Sequence, residues 1–244
     1  MLLLSVGTTL AGEKGAPGDC YIMMGDNTIQ QYDGVTGDLV GPFATDAINN
    51  VRDLTFGPNG NLFVLNNGSG TVEEYDGTTG DLIATRITGI EVGECMLFLP
   101  DETMLVSHLT PQTIELYDTA ANGYAPLGIW ASGIEPLQNS MILGPDGRVY
   151  VGDRLDNTVK AYDLDGSNMT IFADGSGGIL DAPEGISFGF PDGNLYVASF
   201  TNDTVQEFDG VTGDYVGVFA DDLDCPDGLR FAPNGLMWVS YVCS

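Results

Sequence analysis

Five residues of this 244-residue chain occupy one recurring position, ten residues ahead of a short apolar run: Arg52, Glu94, Asn139, Asp227 and, with one extra residue intervening, Glu184. Carboxylates and amides are the oxygen donors a hard divalent cation takes. Three or four of them converging from distant parts of the chain supply what sequence neighbours do not. Glu94, Asn139, Glu184 and Asp227 are therefore the expected metal ligands, with calcium the preferred ion. Without an ion, carboxylates so close repel and raise one another's pKa, so either a cation or Arg52 must compensate. The plainer reading is a water-filled channel whose lining is polar because water touches it.

A second set closes the same apolar runs: the sole histidine, His108, with Asp153, Arg154, Phe200 and Tyr241. A neutral imidazole is a general base near neutral pH, able to activate water against a metal-bound carbonyl. Arg52 or Arg154 would then face the developing negative charge, with Asp153 beside them. Against this, His108 between Ser107 and Leu109 reads more simply as a solvated loop residue without an orienting partner. No Gly-x-Ser-x-Gly elbow occurs, and one histidine permits at most one Ser-His-Asp assembly, so serine-hydrolase chemistry is not expected.

The elements that must position these groups are written in repeats. Tyr32-Asp33-Gly34-Val35-Thr36-Gly37-Asp38 returns at Tyr75, more loosely at Tyr117 and Tyr162, and again at Phe208, at spacings of 43, 42, 45 and 46 residues. In step with it run Pro58-Asn59-Gly60, Pro100-Asp101-Glu102, Pro145-Asp146-Gly147, Pro191-Asp192-Gly193 and Pro233-Asn234-Gly235. Both phrases are turn chemistry. The runs between them are too short for helices and rich in Val, Ile, Leu, Phe and Tyr, hence strands. The second unit predicts Val51–Phe56, Leu62–Asn66, Thr71–Tyr75 and Leu82–Arg86, lettered A to D. Four-stranded units at this period predict an all-β, six-bladed β-propeller of antiparallel blades over residues 20–244, with strand A innermost. The sixth unit breaks off after strand B (Met237–Tyr241). Its outer strands are either absent or supplied by residues 1–19, which otherwise read as a signal remnant. Asp163-Leu164-Asp165-Gly166 imitates a calcium loop but lacks the distant glutamate and sits at a turn.

Composition narrows the partners. With 35 acidic and 7 basic residues the net charge is −28, which repels phosphate backbones and anionic lipid, so nucleic acid is not an expected partner. No apolar stretch approaches the ~20 residues of a membrane span. A monomer acting on a small molecule is expected. Cysteines 20, 95, 225 and 243 show no metal or redox spacing. If Pro233-Asn234-Gly235 is a hairpin turn, Cys225 faces Cys243: either a disulfide, pointing to an oxidising compartment, or two small buried thiols.

Pro183-Glu184-Gly185-Ile186 and Pro226-Asp227-Gly228-Leu229, with the hairpin Pro191-Asp192-Gly193-Asn194-Leu195-Tyr196-Val197, resemble NHL-type six-bladed propellers of secreted bacterial proteins and the related gluconolactonase and regucalcin-like hydrolases. That resemblance implies an extracytoplasmic protein. It also implies a divalent cation, often calcium, at the channel mouth, polarising the carbonyl of a small lactone or ester, or a phosphoester. The other expectation is a non-catalytic propeller that binds a ligand or protein through its loop face.

Overall fold

The strand B segments are apolar at successive positions, which a strand tolerates only when both its faces are covered. The computed structural model, which describes residues 5–6, 15, 18–119, 123–136, 140–189, 192–231 and 235–241, shows how they are covered. Leu62 and Val64 of the second unit pack on the first unit, and Phe63 and Leu65 of the same strand pack on the third. Six such clusters join consecutive units around a ring, the last formed by Trp238 of the sixth unit against Cys20, Ile22, Met24 and Tyr32 of the first.

The first blade comprises β1 (Ser5–Val6), β2 (Cys20–Met24), β3 (Thr28–Tyr32) and β4 (Leu39–Ala44). The second is β5 (Val51–Phe56), β6 (Leu62–Asn66), β7 (Thr71–Tyr75) and β8 (Leu82–Thr88). The third is β9 (Met96–Phe98), β10 (Met104–His108), β11 (Thr113–Asp118) and β12 (Ala125–Ser132). The fourth is β13 (Met141–Leu143), β14 (Val149–Asp153), β15 (Thr158–Tyr162) and β16 (Thr170–Asp174). The fifth is β17 (Pro183–Phe188), β18 (Leu195–Ser199), β19 (Thr204–Phe208) and β20 (Tyr215–Ala220). The sixth holds β21 (Pro226–Phe231) and β22 (Met237–Tyr241). Each blade is an antiparallel meander in chain order, four-stranded except for the two-stranded sixth among the described residues. The strand B segments Leu62–Asn66 and Met237–Tyr241 carry the bounds expected from sequence.

Ser5–Val6 pairs with Cys20 and Tyr21. Ser5–Val6 therefore forms the inner strand of the first blade, where the sequence offered outer strands for the sixth or a signal remnant. In the last hairpin the expected register holds from Phe231↔Met237 to Leu229↔Val239, then shifts by one at Pro226↔Tyr241. Cys225 is disulfide-bonded and Cys20 and Cys95 are buried thiols; Cys243 lies outside the described residues.

The repeated Tyr-Asp-Gly-x-Thr-Gly phrase is a fastening. Asp76 Oδ1 accepts from the backbone N–H groups of Thr78 (2.9 Å) and Thr79 (2.8 Å), closing the turn between the outer strands. Gly77 lies directly against the other hairpin of its blade: a Cβ there would stand 1.8 Å from the Gly60 carbonyl oxygen. Gly77→Ala must push two backbones apart, and it should cost about 2 kcal/mol or more, read as a lowered denaturation midpoint.

Candidate functional site at the channel mouth

Strand A reaches the ring centre with a kink at its beginning. Register shifts fall between Val51 and Asp53 in β5, Pro183 and Ile186 in β17, and Pro226 and Leu229 in β21. The displaced residues are Arg52, Glu184-Gly185 and Asp227-Gly228. A bulge of this kind re-aims a side chain that ladder geometry would otherwise fix, and it is common beside functional sites. Gly185 is required where two bulges meet, since a Cβ would sit 2.6 Å from Leu229 N and 2.8 Å from Asp227 O.

Two serines hold these strand starts, and sequence reasoning passed over both. Ser107 Oγ accepts from the N–H groups of Glu94 (3.1 Å) and Cys95 (2.9 Å), and Ser240 Oγ accepts from Gly228 N (2.7 Å). The signal was present: Val106-Ser107-His108 and Val239-Ser240-Tyr241 occupy the same column of the repeat.

The structure brings four of the five column residues together. Arg52 Nε lies 3.6 Å from Glu94 Oε1 in an ion pair whose acid is buried. Glu184 and Asp227, from adjacent blades, are hydrogen-bonded to one another, with Glu184 as donor. Burial first, then this hydrogen bond and the charges of Asp227 and Glu94, push the Glu184 carboxyl up to about 10. Burial also raises Asp227, opposed by the hydrogen bond from Glu184 and the charge of Arg52. The two groups thus share a proton across their hydrogen bond. Asn139 lies outside the described residues.

The other expected residues lie elsewhere or are engaged. Arg154 is at the mouth: Nη1 meets Glu135 Oε1 at 3.4 Å and its charge acts on Glu184. Asp153 is wholly buried, paired with the Lys160 ammonium and accepting from Glu135 N (3.1 Å) and Leu155 N (3.0 Å). It ties down the loop that enters its blade and is closed off from solvent. His108 is directed into a groove between the second and third blades, where the charges that act on it are Glu115 and Glu91. Neither belongs to the mouth, so His108 is not placed to serve as base for Glu184 and Asp227. The column position of His108 is held by Asn66 and Ser199 in other blades, which also bind loop backbone. The position is a loop tether in these blades, and that is why the column misled.

As a cation site the cluster is incomplete. Among the described residues no three His, Cys, Asp or Glu side chains are grouped to hold an ion, because Glu94 is turned to Arg52 while Glu184 and Asp227 face each other.

At the opposite end of the axis is a cavity of about 400 Å³, lined by the inner strands β5, β9, β13, β17 and β21. It contains buried Asp53, whose Oδ2 accepts from Met96 N (2.6 Å), and Arg230, which donates to Ile186 O (3.0 Å). Burial lifts the Asp53 carboxyl to about 7, against the hydrogen bond from Met96 and the charge of Arg230. From the ordinary 3.8 up to about 7 the folded chain keeps a proton that the unfolded chain releases, so this group's contribution to stability declines as pH rises through that window. Asp53→Asn should flatten that decline, visible as a smaller change in unfolding free energy between pH 4 and pH 7 than in the parent (about pH 4 to 7).

No family model matches the chain, and no curated protein does. Solved structures do. A streptogramin B lyase is 14% identical with a TM-score of 0.71, covering 98% of this chain and 75% of that one. A catalytically inactive histidine-to-alanine variant of virginiamycin B lyase from Staphylococcus aureus, with quinupristin, is 13% identical with a TM-score of 0.65, covering 98% and 84%. The nidogen/laminin complex gives 14% identity and a TM-score of 0.75, covering 88% and 82%. The likeness is one of fold. It establishes the six-bladed propeller and does not single out the NHL or gluconolactonase branch.

Proposed function

We propose that this propeller is a hydrolase of a small ester or lactone, worked by the Glu184–Asp227 pair at the channel mouth. The observation that carries the reading is the pair itself: two carboxyls from adjacent blades, hydrogen-bonded, largely buried and sharing one proton, with Arg52 acting on Asp227 and Arg154 on Glu184. Groups whose surroundings divide one proton between them are matched to acid–base work. As a water oxygen bonds to the substrate carbonyl carbon, Asp227 takes a proton from the water and Glu184 gives its own to the carbonyl oxygen. When the intermediate collapses, the bond to the leaving oxygen breaks and that oxygen takes the proton from Asp227. Glu184 recovers one from the former carbonyl oxygen, and the pair is restored. Arg52 and Arg154 oppose negative charge building up on the substrate oxygens.

The experiment is a panel of aryl esters and lactones offered to the parent and to the Glu184→Gln/Asp227→Asn double variant, each with and without EDTA. Turnover by the parent that is lost in the double variant, with cooperative melting retained and EDTA without effect, is the expected result. Turnover that EDTA abolishes and calcium restores would replace the shared proton with a metal ion. Turnover unaltered in the double variant would remove the reaction from this site.

The likeness to the nidogen propeller, seen in complex with laminin, favours a second reading in which the loop face binds a protein and performs no chemistry. An inert panel would support it.

A further inference from the structure

Between the second and third blades, away from the channel mouth, runs a groove of about 530 Å³ lined by Arg86, Glu91, His108, Glu115, Tyr117 and Tyr124. His108 contributes a buried ring, 6% exposed, whose Nε2 has no hydrogen-bond partner. A buried polar atom left without a partner is costly, and in native proteins it marks a place where something else supplies the bond. The closest charged atom, Glu115 Oε2, is 3.6 Å away, beyond hydrogen-bond range, and accepts from the Tyr117 hydroxyl at 2.7 Å.

The charge in the groove selects the class of ligand. Glu91 and Glu115 are acidic, and Arg86 is already neutralised by buried Glu74 and lies over the Tyr124 ring, 5.4 Å from its centroid. An anion would meet two carboxylates and a neutral imidazole. An ammonium nitrogen has three N–H donors, and placed about 2.9 Å from both His108 Nε2 and Glu115 Oε2 it would bond to each. Tyr124 and Pro111 line the same groove and offer apolar surface to a stem. A divalent ion would have only His108 and Glu115 here, since no three ligating side chains are grouped among the described residues.

We propose that this groove binds a primary ammonium group carried on a short apolar stem. The site is separate from the Glu184–Asp227 pair, and its fate does not depend on the hydrolase reading.

Because His108 is the only histidine in the chain, its imidazole resonances report on this groove alone. The parent protein is titrated with phenethylammonium chloride, with 2-phenylethanol as the uncharged counterpart and zinc chloride as a third probe. Phenethylammonium should move the His108 Cε1–H resonance saturably while 2-phenylethanol leaves it in place. Glu115→Gln, which keeps an oxygen for the Tyr117 hydroxyl, should weaken the ammonium at least ~10-fold. Exposed Glu91→Gln provides a second variant, expected to weaken binding less. No saturable movement with phenethylammonium, an equal response to 2-phenylethanol, or unchanged affinity in both glutamine variants would overturn the proposal. A response to zinc with none to the amine would overturn it in favour of a metal.

Discussion

Glu184→Gln should lower kcat on the best ester of the panel by about 100-fold or more while leaving the melting temperature at neutral pH close to the parent value. The amide retains an N–H that can donate to Asp227, so the contact between the fifth and sixth blades survives; what disappears is the transferable proton. Asp227→Asn removes the acceptor of the water proton and should cost a similar factor. Combining the two should cost little more than either alone, because the groups act as one unit. The pH dependence distinguishes this from a structural effect. The Glu184 carboxyl gives up its proton at about 10, so the parent's rate should fall above that value. Stability should follow the same group. Its folded pKa is raised from 4.5, so between 4.5 and about 10 the folded state holds a proton the unfolded state has lost, and stability falls as pH climbs. In Glu184→Gln that fall should be reduced. A variant that loses rate and cooperativity together would indicate that the pair is only a seam between blades.

Architecture was legible because the repeat states it twice. Each Pro-Asn-Gly or Pro-Asp-Gly and each Tyr-Asp-Gly phrase fixes a hairpin, and between two hairpins an apolar run of five residues can only be a strand covered on both faces. Hence the bounds of Leu62–Asn66 or Met237–Tyr241 followed from composition and spacing alone. The mouth was half legible. Counting back ten residues reached Arg52, Glu94 and Asp227 because those blades space their inner strand alike. Counting could not show the bulges that turn Glu184 and Asp227 toward one another and leave Glu94 with Arg52. Bulges depend on how neighbouring blades crowd at the axis, as at Gly185 against Gly228, and that is a tertiary fact. His108 misled for the complementary reason. Strand periodicity gives the end of the blade at which a residue sits, but the same end holds both the axis and the grooves between blades. Asp153 looked catalytic as a carboxylate beside Arg154, and its actual partner, Lys160, lies on the next strand in an alternation that the sequence shows only once the register is known.

That pairing sets a large stability effect. Lys160 is one of only 7 basic residues set against 35 acids, and its side chain is 8% exposed where its ammonium meets Asp153, itself 0% exposed. Removing the cation leaves a buried carboxylate facing Asp156, which also uses the same ammonium (2.6 Å). Lys160→Met keeps the length of the stem and should cost about 3–5 kcal/mol, the usual consequence of leaving one half of a buried pair. The penalty should arise from the stranded charge and not from lost attraction, so removing that charge should recover much of it. Asp153→Asn still offers an oxygen to Glu135 N and Leu155 N, and the Asp153→Asn/Lys160→Met double variant should be markedly more stable than Lys160→Met alone. Chemical denaturation of the four proteins of the cycle measures the coupling. If the double variant is no more stable than Lys160→Met, the loss belongs to packing of the lysine stem between the third and fourth blades, the side on which its cross-strand partner Val151 and neighbouring Tyr162 pack.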